Sequence, residues 1–233
     1  MNESRFIDNG EGAFGIRNIV ETGLIYNKKP GEWYGPLLMI QIFKQLNTKY
    51  KPFPLLDIIT FLEGAIYINQ IFNKTDPMIV FVGFRLGLKK INREYFEGIF
   101  RIMRIEGFIG ISGGQEDGAL YFVGYQNDKL IFLDPHVTQQ SINSIEELWT
   151  DHLSYHYPTP LLLPIEKMNT CFAIGFYLRT RNDCERFVKD MKAEAKREDS
   201  FIQIYDKEFT YDIKSRPEEI VKIEGTNDIF VIL

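Results

Sequence analysis

The segment from Gly118 to His136 limits the possible folds more than any other stretch of the sequence. Apolar residues dominate on both sides of Asn127-Asp128, a pair that tolerates left-handed backbone angles and therefore suits a tight turn. The pattern predicts two well-buried strands that form an antiparallel hairpin. Elsewhere strands and helices alternate irregularly, which favours an α+β fold over a doubly wound parallel sheet.

Apolar periodicity and turn residues place the other elements along the chain. Residues 13–26 have a helical period, and Pro36 suits the first turn of a second helix. Asn92 and Asn182 are predicted to cap two further helices, because asparagine side chains accept hydrogen bonds from the first turn. Runs of β-branched and aromatic residues predict a hairpin of Leu56–Leu62 with Ala65–Phe72, and strands at Met78–Phe84, Phe108–Ile111, Asn169–Leu178 and Phe201–Tyr205.

The charge and the cysteine content exclude several classes of protein. The 233 residues carry a net charge of -5, with no basic block of the kind that binds nucleic acid. No apolar run is long enough to cross a bilayer, and the polar N-terminus does not resemble a signal peptide. Two cysteines without a pairing pattern indicate a reducing compartment, so we expect a cytoplasmic protein.

The hairpin ends in Asp134-Pro135-His136, whose two polar side chains form a candidate catalytic pair. Residues two apart in an extended segment point to the same face, and Pro135 biases Asp134 toward extended geometry. A carboxylate beside an imidazole orients the ring and stabilises its charged form, as a general base requires. Such pairs are common, so this pattern needs a second feature before it assigns a function.

The residues offer no clear nucleophile or metal site to go with this pair. Cys171 lies in an apolar run and is predicted to be a small buried hydrophobe, while the acidic neighbours of Cys184 would raise a thiol pKa. Ser112 lacks the frame of a nucleophile elbow. His152 and His156 have a helical spacing, but nearby prolines argue against a helix there. We therefore expect neither a metal nor a cofactor.

The segment Ser112–Gly118 is polar and rich in glycine, and it is predicted to be a flexible loop before a strand. It lacks the Gly-Lys-Ser/Thr ending of a P-loop and the GxGxxG spacing of a dinucleotide site. Phosphate binding is therefore disfavoured.

Three groups of short motifs, in the same order along the chain, resemble the autophagins, which are autophagy-related cysteine peptidases. The most specific group is the one that contains Asp134-Pro135-His136. Together the motifs cover most of residues 13–180. They are Phe14–Val20 with Gly31–Pro36; Gly110–Gly114 with Tyr121–Tyr125 and Ile131–Gln139; and Tyr155–Pro158 with Ala173–Leu178.

The resemblance implies a papain-like cysteine peptidase fold of the α+β class, N-terminally incomplete in this chain, with a mostly antiparallel sheet packed against helices. It implies a peptidase domain at residues 13–200, with residues 47–77 in part of an accessory subdomain, and a flexible tail at residues 206–233. It also implies that Asp134 and His136 are two members of a Cys-His-Asp triad.

The resemblance further implies residues that contact the substrate. Trp33 would cover the C-terminal tail of the substrate beside the active site. The loop that contains Gly113 and Gly114 would close the site until substrate lifts it. Many autophagins have a proline in this loop, where this chain has Gln115-Glu116-Asp117, so the sequence departs from the family at this point.

The C-terminal tail resembles an aromatic-x-x-aliphatic docking motif, formed here by Phe230 and Leu233. Such a motif would add a strand to the ubiquitin-like autophagy modifier. An apolar C-terminal strand within the core is the alternative. The implied partner is this modifier, both as the free precursor and conjugated to phosphatidylethanolamine. A membrane surface would be met only through the lipidated substrate, and no nucleic acid partner is expected.

The family nucleophile lies in a Trp-Gly-Cys segment upstream of residues 31–36, and this chain contains no such segment. Two explanations stay open: an incomplete product of a longer gene, or a natural remnant without the nucleophile. The implied function is a thiol peptidase that cleaves the modifier after its C-terminal glycine; a binding module that holds the modifier without cleaving it is the alternative. Without the helix that carries the nucleophile, one face of the sheet would be exposed and the isolated chain would be poorly stable.

Overall fold

The protein has the predicted α+β fold, in which a mostly antiparallel sheet packs against helices. A computed structural model describes residues 12–74, 77–116, 118–136 and 159–208, and the backbone of residues 220–222 and 229–231. The helices are α1 (Ile16–Ile25), α2 (Pro36–Tyr50), α3 (Ile68–Phe72), α4 (Phe96–Ile102) and α5 (Arg181–Ala195). The strands are β1 (Asp57–Phe61), β2 (Ala65–Tyr67), β3 (Met78–Arg85), β4 (Phe108–Gln115), β5 (Gly118–Gln126), β6 (Lys129–Leu133), β7 (Leu161–Pro164), β8 (Cys171–Leu178), β9 (Gln203–Tyr205), β10 (Ile220–Lys222) and β11 (Ile229–Val231).

Seven of the strands form one sheet in the order β1-β3-β8-β4-β5-β6-β7. β1 runs parallel to β3, and each of the other neighbouring pairs is antiparallel. The predicted hairpin is confirmed as β5 and β6: Gln126 pairs with Lys129, and Asn127 has the left-handed backbone (φ 55°) that this turn needs. Asp134 therefore follows directly after a strand that is paired on both sides, with β5 and with β7.

One face of the sheet carries the main core. On this face Phe176 of β8 contacts Phe187 of α5, with ring centroids 4.9 Å apart, and Phe100 of α4 stacks on Tyr125 of β5 at 4.6 Å. The helices α4 and α5 thus exclude water from this side of the sheet. The fully buried row that crosses β3, β8, β4 and β5 consists of Val82, Ile174, Ile111 and Phe122.

The opposite face of the sheet is covered unevenly. The helix α2 packs over β1, β3 and β8, where Leu37 lies so close to Gly83 that a Cβ atom on the glycine would be 2.3 Å from the leucine Cδ2. Farther across the sheet, six apolar side chains on this side keep between 38% and 43% of their surface exposed. We call these six the open face: Ile109, Tyr121, Val123, Leu133, Leu162 and Tyr177.

The predicted hairpin of Leu56–Leu62 with Ala65–Phe72 is wrong. β1 pairs with β3, β2 pairs in parallel with the distant β9, and the end of the second run forms α3. The turn between the two runs is stabilised by hydrogen bonds to residues outside it. The N–H of Gly64 donates to the carbonyl of Gly83, and the carbonyl of Gly64 accepts the N–H of Gln203. Because both partners are distant in sequence, local periodicity could not reveal that the chain leaves the sheet here.

Two helix starts also differ from the prediction. Thr180, not Asn182, caps α5: its hydroxyl accepts the N–H of Asp183, whose carboxylate accepts the N–H of Thr180. The helix α5 begins at Arg181, so Asn182 already lies inside its first turn and is past the N-cap position. Asn92 precedes a 3₁₀ turn rather than α4, and its side chain donates to Glu94 instead of capping a helix.

None of the helices in the described part of the chain combines the length and the apolar character that spanning a bilayer would need.

Candidate active site

Asp134 and His136 lie in the turn that follows β6 and are hydrogen bonded to each other. Oδ1 of Asp134 accepts the backbone N–H of His136 at 2.9 Å and lies 2.6 Å from Nδ1 of its ring. The segment is therefore a tight turn closed by the aspartate side chain, not the extended segment that the sequence predicted, because the carboxylate competes for the backbone N–H two residues on. The turn brings the two side chains together all the same.

The electrostatics of the pair define which ring nitrogen is free. The backbone N–H of His136 and, second, its ring hydrogen bond hold the pKa of Asp134 below its usual value. The carboxylate is therefore ionised at neutral pH and can only accept hydrogen bonds, so Nδ1 is the donor of this contact, and in the neutral ring the lone pair is on Nε2. The His136 side chain is 54% exposed, so part of the ring is accessible to another molecule. This arrangement suits a general base.

The glycine-rich segment before β5 is not the loop that the sequence predicted. Gly113 and Gly114 lie in β4, where they pair with Leu120 and Ala119 of β5. The glycines fit this tight hairpin because a Cβ atom on Gly114 would lie 2.1 Å from the carbonyl oxygen of Gly118. Whether Gly113 and Gly114 contact substrate stays a prediction.

The β4–β5 hairpin ends beside His136. A Cβ atom placed on Gly118 would lie 3.5 Å from Cε1 of His136, which is ordinary van der Waals contact. The hairpin and the imidazole therefore form neighbouring walls of one site. Gly118 begins the β5–β6 hairpin and His136 follows it. The order of the motifs along the sequence did not predict this contact.

The two cysteines of the chain lie away from His136. Cys171 starts β8, which is separated from β6 by β4 and β5, so three strand spacings of the sheet place it about 14 Å from β6. It is half-buried rather than buried as predicted, because it sits at the first position of its strand. Cys184 is buried in the core on α5, which packs on β8 and β9. Neither thiol is placed to give its proton to Nε2.

Two of the three remaining predicted substrate residues, Trp33 and Phe230, lie within the described residues. Trp33 is 54% exposed, and its indole lies over the N-terminus of α2, with Nε1 3.9 Å from a Cβ atom placed on Gly35. The backbone of Phe230 in β11 pairs with Val221 of β10. Leu233 lies outside the described residues. Contact of Trp33, Phe230 or Leu233 with a partner stays a prediction.

Sequence reasoning missed one residue of this site. Asn169 donates its backbone N–H to the carbonyl of Gly114 at 2.8 Å and its Nδ2 to the carbonyl of Glu116 at 3.2 Å. Because the acceptors are more than fifty positions away, no local signal in the sequence could have identified the contact. In the described ranges, no group of three or more histidine, cysteine, aspartate and glutamate side chains is arranged to hold a metal ion.

Comparison with known proteins identifies the family to which the sequence is similar. The family model described as the peptidase C54 catalytic domain matches residues 4–190. "Cysteine protease ATG4C" of Mus musculus is 29% identical over an alignment of 237 residues, which covers 93% of this chain and 51% of the relative. "Probable cysteine protease atg4" of Schizosaccharomyces pombe is 27% identical and is covered to 62%, over 87% of this chain. The chain thus spans about half the length of the mouse relative.

Proposed function

Because this chain belongs to the peptidase C54 family, we propose that Asp134 and His136 are the base pair of a cysteine peptidase of autophagy. Its substrate would be the ubiquitin-like autophagy modifier, cleaved after the C-terminal glycine of the precursor and released from phosphatidylethanolamine. The observation that carries this proposal is the 2.6 Å contact between Oδ1 of Asp134 and Nδ1 of His136, which leaves Nε2 free.

The proposed chemistry follows from this contact. Nε2 of His136 takes the proton of a cysteine thiol, and the thiolate attacks the carbonyl carbon of the glycine. The leaving amine takes the proton back from the imidazolium, and water then releases the acyl group from the sulfur. Asp134 keeps Nδ1 protonated and stabilises the charged ring. The reaction needs a thiol beside Nε2, and neither Cys171 nor Cys184 lies there.

That last observation favours a second candidate, a binding module for the same modifier. In this role the chain holds the modifier through the surface around His136 and through Phe230 and Leu233, without cleaving it. Both candidates act in the cytoplasm and require no cofactor. Both meet a membrane surface only when the modifier carries its lipid.

A cleavage assay separates the two candidates. The 233-residue chain is incubated with the modifier precursor, and release of the C-terminal extension is followed by mass spectrometry. Peptidase activity requires that His136→Ala and Asp134→Asn each lower the rate by about 100-fold or more, since each change removes general-base catalysis. Asp128→Asn, in the turn at the other end of β6, is the matched control and should not change the rate. Cleavage that survives His136→Ala contradicts the catalytic assignment.

A binding assay tests the module. If the chain does not cleave, calorimetric titration with the modifier should still detect binding, and Phe230→Ala should weaken it. Val231→Ala, the neighbouring position of the motif, is the control and should have little effect. Binding that survives Phe230→Ala unchanged contradicts the docking role of the tail.

A further inference from the structure

A groove of about 760 Å³ opens where β1 and β2 separate. The two strands are joined by a short turn, yet β1 belongs to the seven-stranded sheet and β2 pairs with β9 in a separate two-stranded sheet. The lining includes Thr60 and Phe61 of β1 and Ala65 and Tyr67 of β2. We call this space the β1–β2 groove. It lies between two strands that are adjacent in the chain but do not pair with each other.

The strands beside the β1–β2 groove have edges that can pair with an added segment. Among the described strands, β1 has only β3 as a neighbour, and β2 has only β9. Thr60 and Phe61 are consecutive and therefore point to opposite faces of β1, so a groove that both residues line reaches the edge of the strand. An extended peptide uses such an edge by adding a strand to it. The position of the groove therefore suits an extended peptide.

Neutral polar groups inside the groove fit a peptide. Thr60 is only 9% exposed, and its hydroxyl donates to Oε1 of Gln41 in α2 at 3.5 Å, the long limit of a hydrogen bond. A buried hydroxyl with so weak a partner is stabilised when a ligand bonds to it. Gln203 of β9 lines the same space, and its Oε1 accepts the hydroxyl hydrogen of Tyr205 at 2.7 Å. That contact leaves the amide N–H groups of Gln203 to donate to a peptide carbonyl.

The charge of the lining residues favours a cation. Glu63 and Glu208 line the groove, and Lys44 is the one basic residue among its described lining residues. Two carboxylates are therefore matched by one ammonium group. Glu208 accepts a hydrogen bond from the neutral amide of Gln70 at 2.8 Å, and a carboxylate can accept further donors. The groove has a surplus of negative charge that a basic side chain of the peptide would balance.

A pair of tyrosine rings supplies a second preference for a cation. Tyr67 of β2 and Tyr205 of β9 are paired in register, and their rings stack with centroids 5.9 Å apart and planes 27° apart. Tyrosine rings attract cations, and a flat guanidinium also stacks on them. The N–H donors of a guanidinium further suit bonds to carboxylates. The rings and the carboxylates together favour arginine over lysine.

We propose that the β1–β2 groove binds an extended peptide that carries an arginine. The peptide backbone pairs with the edge of β1, and the guanidinium lies against Tyr205 and bonds to Glu208. This site is separate from the candidate active site, because five strand spacings, about 24 Å, separate β1 from β6. The proposal therefore holds whether or not the chain is a peptidase.

The first test measures binding to the full 233-residue chain by fluorescence anisotropy. The probe is a fluorescein-labelled peptide, Thr-Val-Arg-Val-Thr, and the matched probe has glutamate in place of arginine. The arginine probe should bind about tenfold more tightly, the effect of a hydrogen bond to a charged group. Glu208→Gln should weaken its binding roughly fivefold and Tyr205→Leu roughly threefold. Glu198→Gln removes an exposed carboxylate outside the groove and should change nothing.

The second test locates the bound probe by hydrogen exchange and mass spectrometry. Saturation with the arginine probe should slow amide exchange several-fold in peptides that contain Asp57–Phe61, since an added strand covers the edge of β1. Exchange at Lys129–Leu133, next to the candidate active site, should not change. This measurement uses the parent chain alone, so it does not depend on how any variant folds.

Three results would overturn the proposal. One is that the arginine probe does not bind, or binds no more tightly than the glutamate probe; tighter binding of the latter would assign the groove to Lys44 and an acidic peptide. Another is binding that survives both Glu208→Gln and Tyr205→Leu unchanged. The third is protection that falls on the open face or around His136 and leaves β1 unprotected. None of these measurements uses peptidase activity, so a failure of the proposed function and a failure of the groove are told apart.

Discussion

The two faces of the seven-stranded sheet are built from the same strands but differ in what covers them. Phe176 and Tyr177 are neighbours in β8: the first is fully buried against α5, and the second belongs to the open face. Since alternate residues of a strand point to opposite sides, one chain segment supplies both surfaces. Both faces of the sheet carry apolar side chains. The side chains are buried only on the face against which helices pack.

The open face has the apolar composition of a contact surface. Its six apolar side chains lie on neighbouring strands, and contiguous apolar patches on soluble proteins commonly mark interaction sites or aggregation liabilities. The covered face, by contrast, should supply most of the free energy of unfolding. Substitutions matched between the two faces test this difference directly.

The largest expected effect is at Phe176. Phe176→Ala should lower the free energy of unfolding by about 4 kcal/mol, because it removes a buried ring and leaves a cavity against α5. Tyr177→Ala, on the next residue, should cost about 1 kcal/mol or less. Urea denaturation followed by circular dichroism measures both. Equal losses would contradict the comparison and show that the open face is packed in solution, and a parent chain without a cooperative transition would show that neither face forms a stable core.

The next effect concerns the charge cluster that joins the two helices on the covered face. Arg101 of α4 lies 2.6 Å from the largely buried carboxylate of Glu194 in α5 and 2.9 Å from Asp199. Arg101→Ala should cost about 3 kcal/mol, because a buried carboxylate loses its main partner. The control is Arg93→Ala, whose ion pair with Glu166 is exposed and should contribute less than about 1 kcal/mol. A small loss at Arg101 would mean that packing alone holds α4 to α5.

A smaller effect is expected at the start of α5. Thr180→Ala removes the hydroxyl that accepts the N–H of Asp183 and should lower the free energy of unfolding by about 1 kcal/mol. Asn182→Ala tests the cap that the sequence predicted and should be nearly neutral. Thermal unfolding of the two variants shows which substitution lowers the stability more. A larger loss of stability in Asn182→Ala would contradict the observed capping box.

The same cap gives the molecule a defined acid response. The hydrogen bond from Arg186, ahead of the backbone contacts, lowers the pKa of Asp183 from 3.8 to about 2. A lowered pKa means that the stabilisation is complete above the unfolded value and is lost as the pH falls from about 4 through about 2. In Asp183→Asn this part of the pH dependence of Tm should be missing. If Tm falls at acid pH in the same way in Asp183→Asn, other carboxylates determine the acid response.

The smallest change in stability is expected on the open face itself. Val123→Thr keeps the shape of the side chain and should change the free energy of unfolding by less than about 0.5 kcal/mol. It should nevertheless reduce self-association at high concentration, measured by light scattering, since it makes the patch more polar. Val82→Thr, on the covered face, buries a hydroxyl and should be clearly destabilising. Similar losses at both positions would remove the distinction between the faces.

Much of the local architecture could be predicted from the sequence. Asn127-Asp128 marked the turn between β5 and β6, and Pro36 marked the start of α2, because turn and helix-start preferences depend on the residue itself. The contact between Asp134 and His136 was also predicted, since the two are only two positions apart. The geometry that joins them was predicted wrongly: the aspartate side chain bonds the backbone N–H of His136 and makes a turn.

The sequence by itself determined the hairpin, the acid–base pair that follows it, and the motifs that identify the family, because each depends on neighbouring residues. The tertiary structure decided where those parts meet. It put Gly113 and Gly114 in a strand, placed Asn169 against the tip of their hairpin, and separated Cys171 from His136 by two intervening strands. The physical reason is that strand pairing and helix packing join backbone groups far apart in the chain, and no local pattern of residue types records which distant group will be the partner.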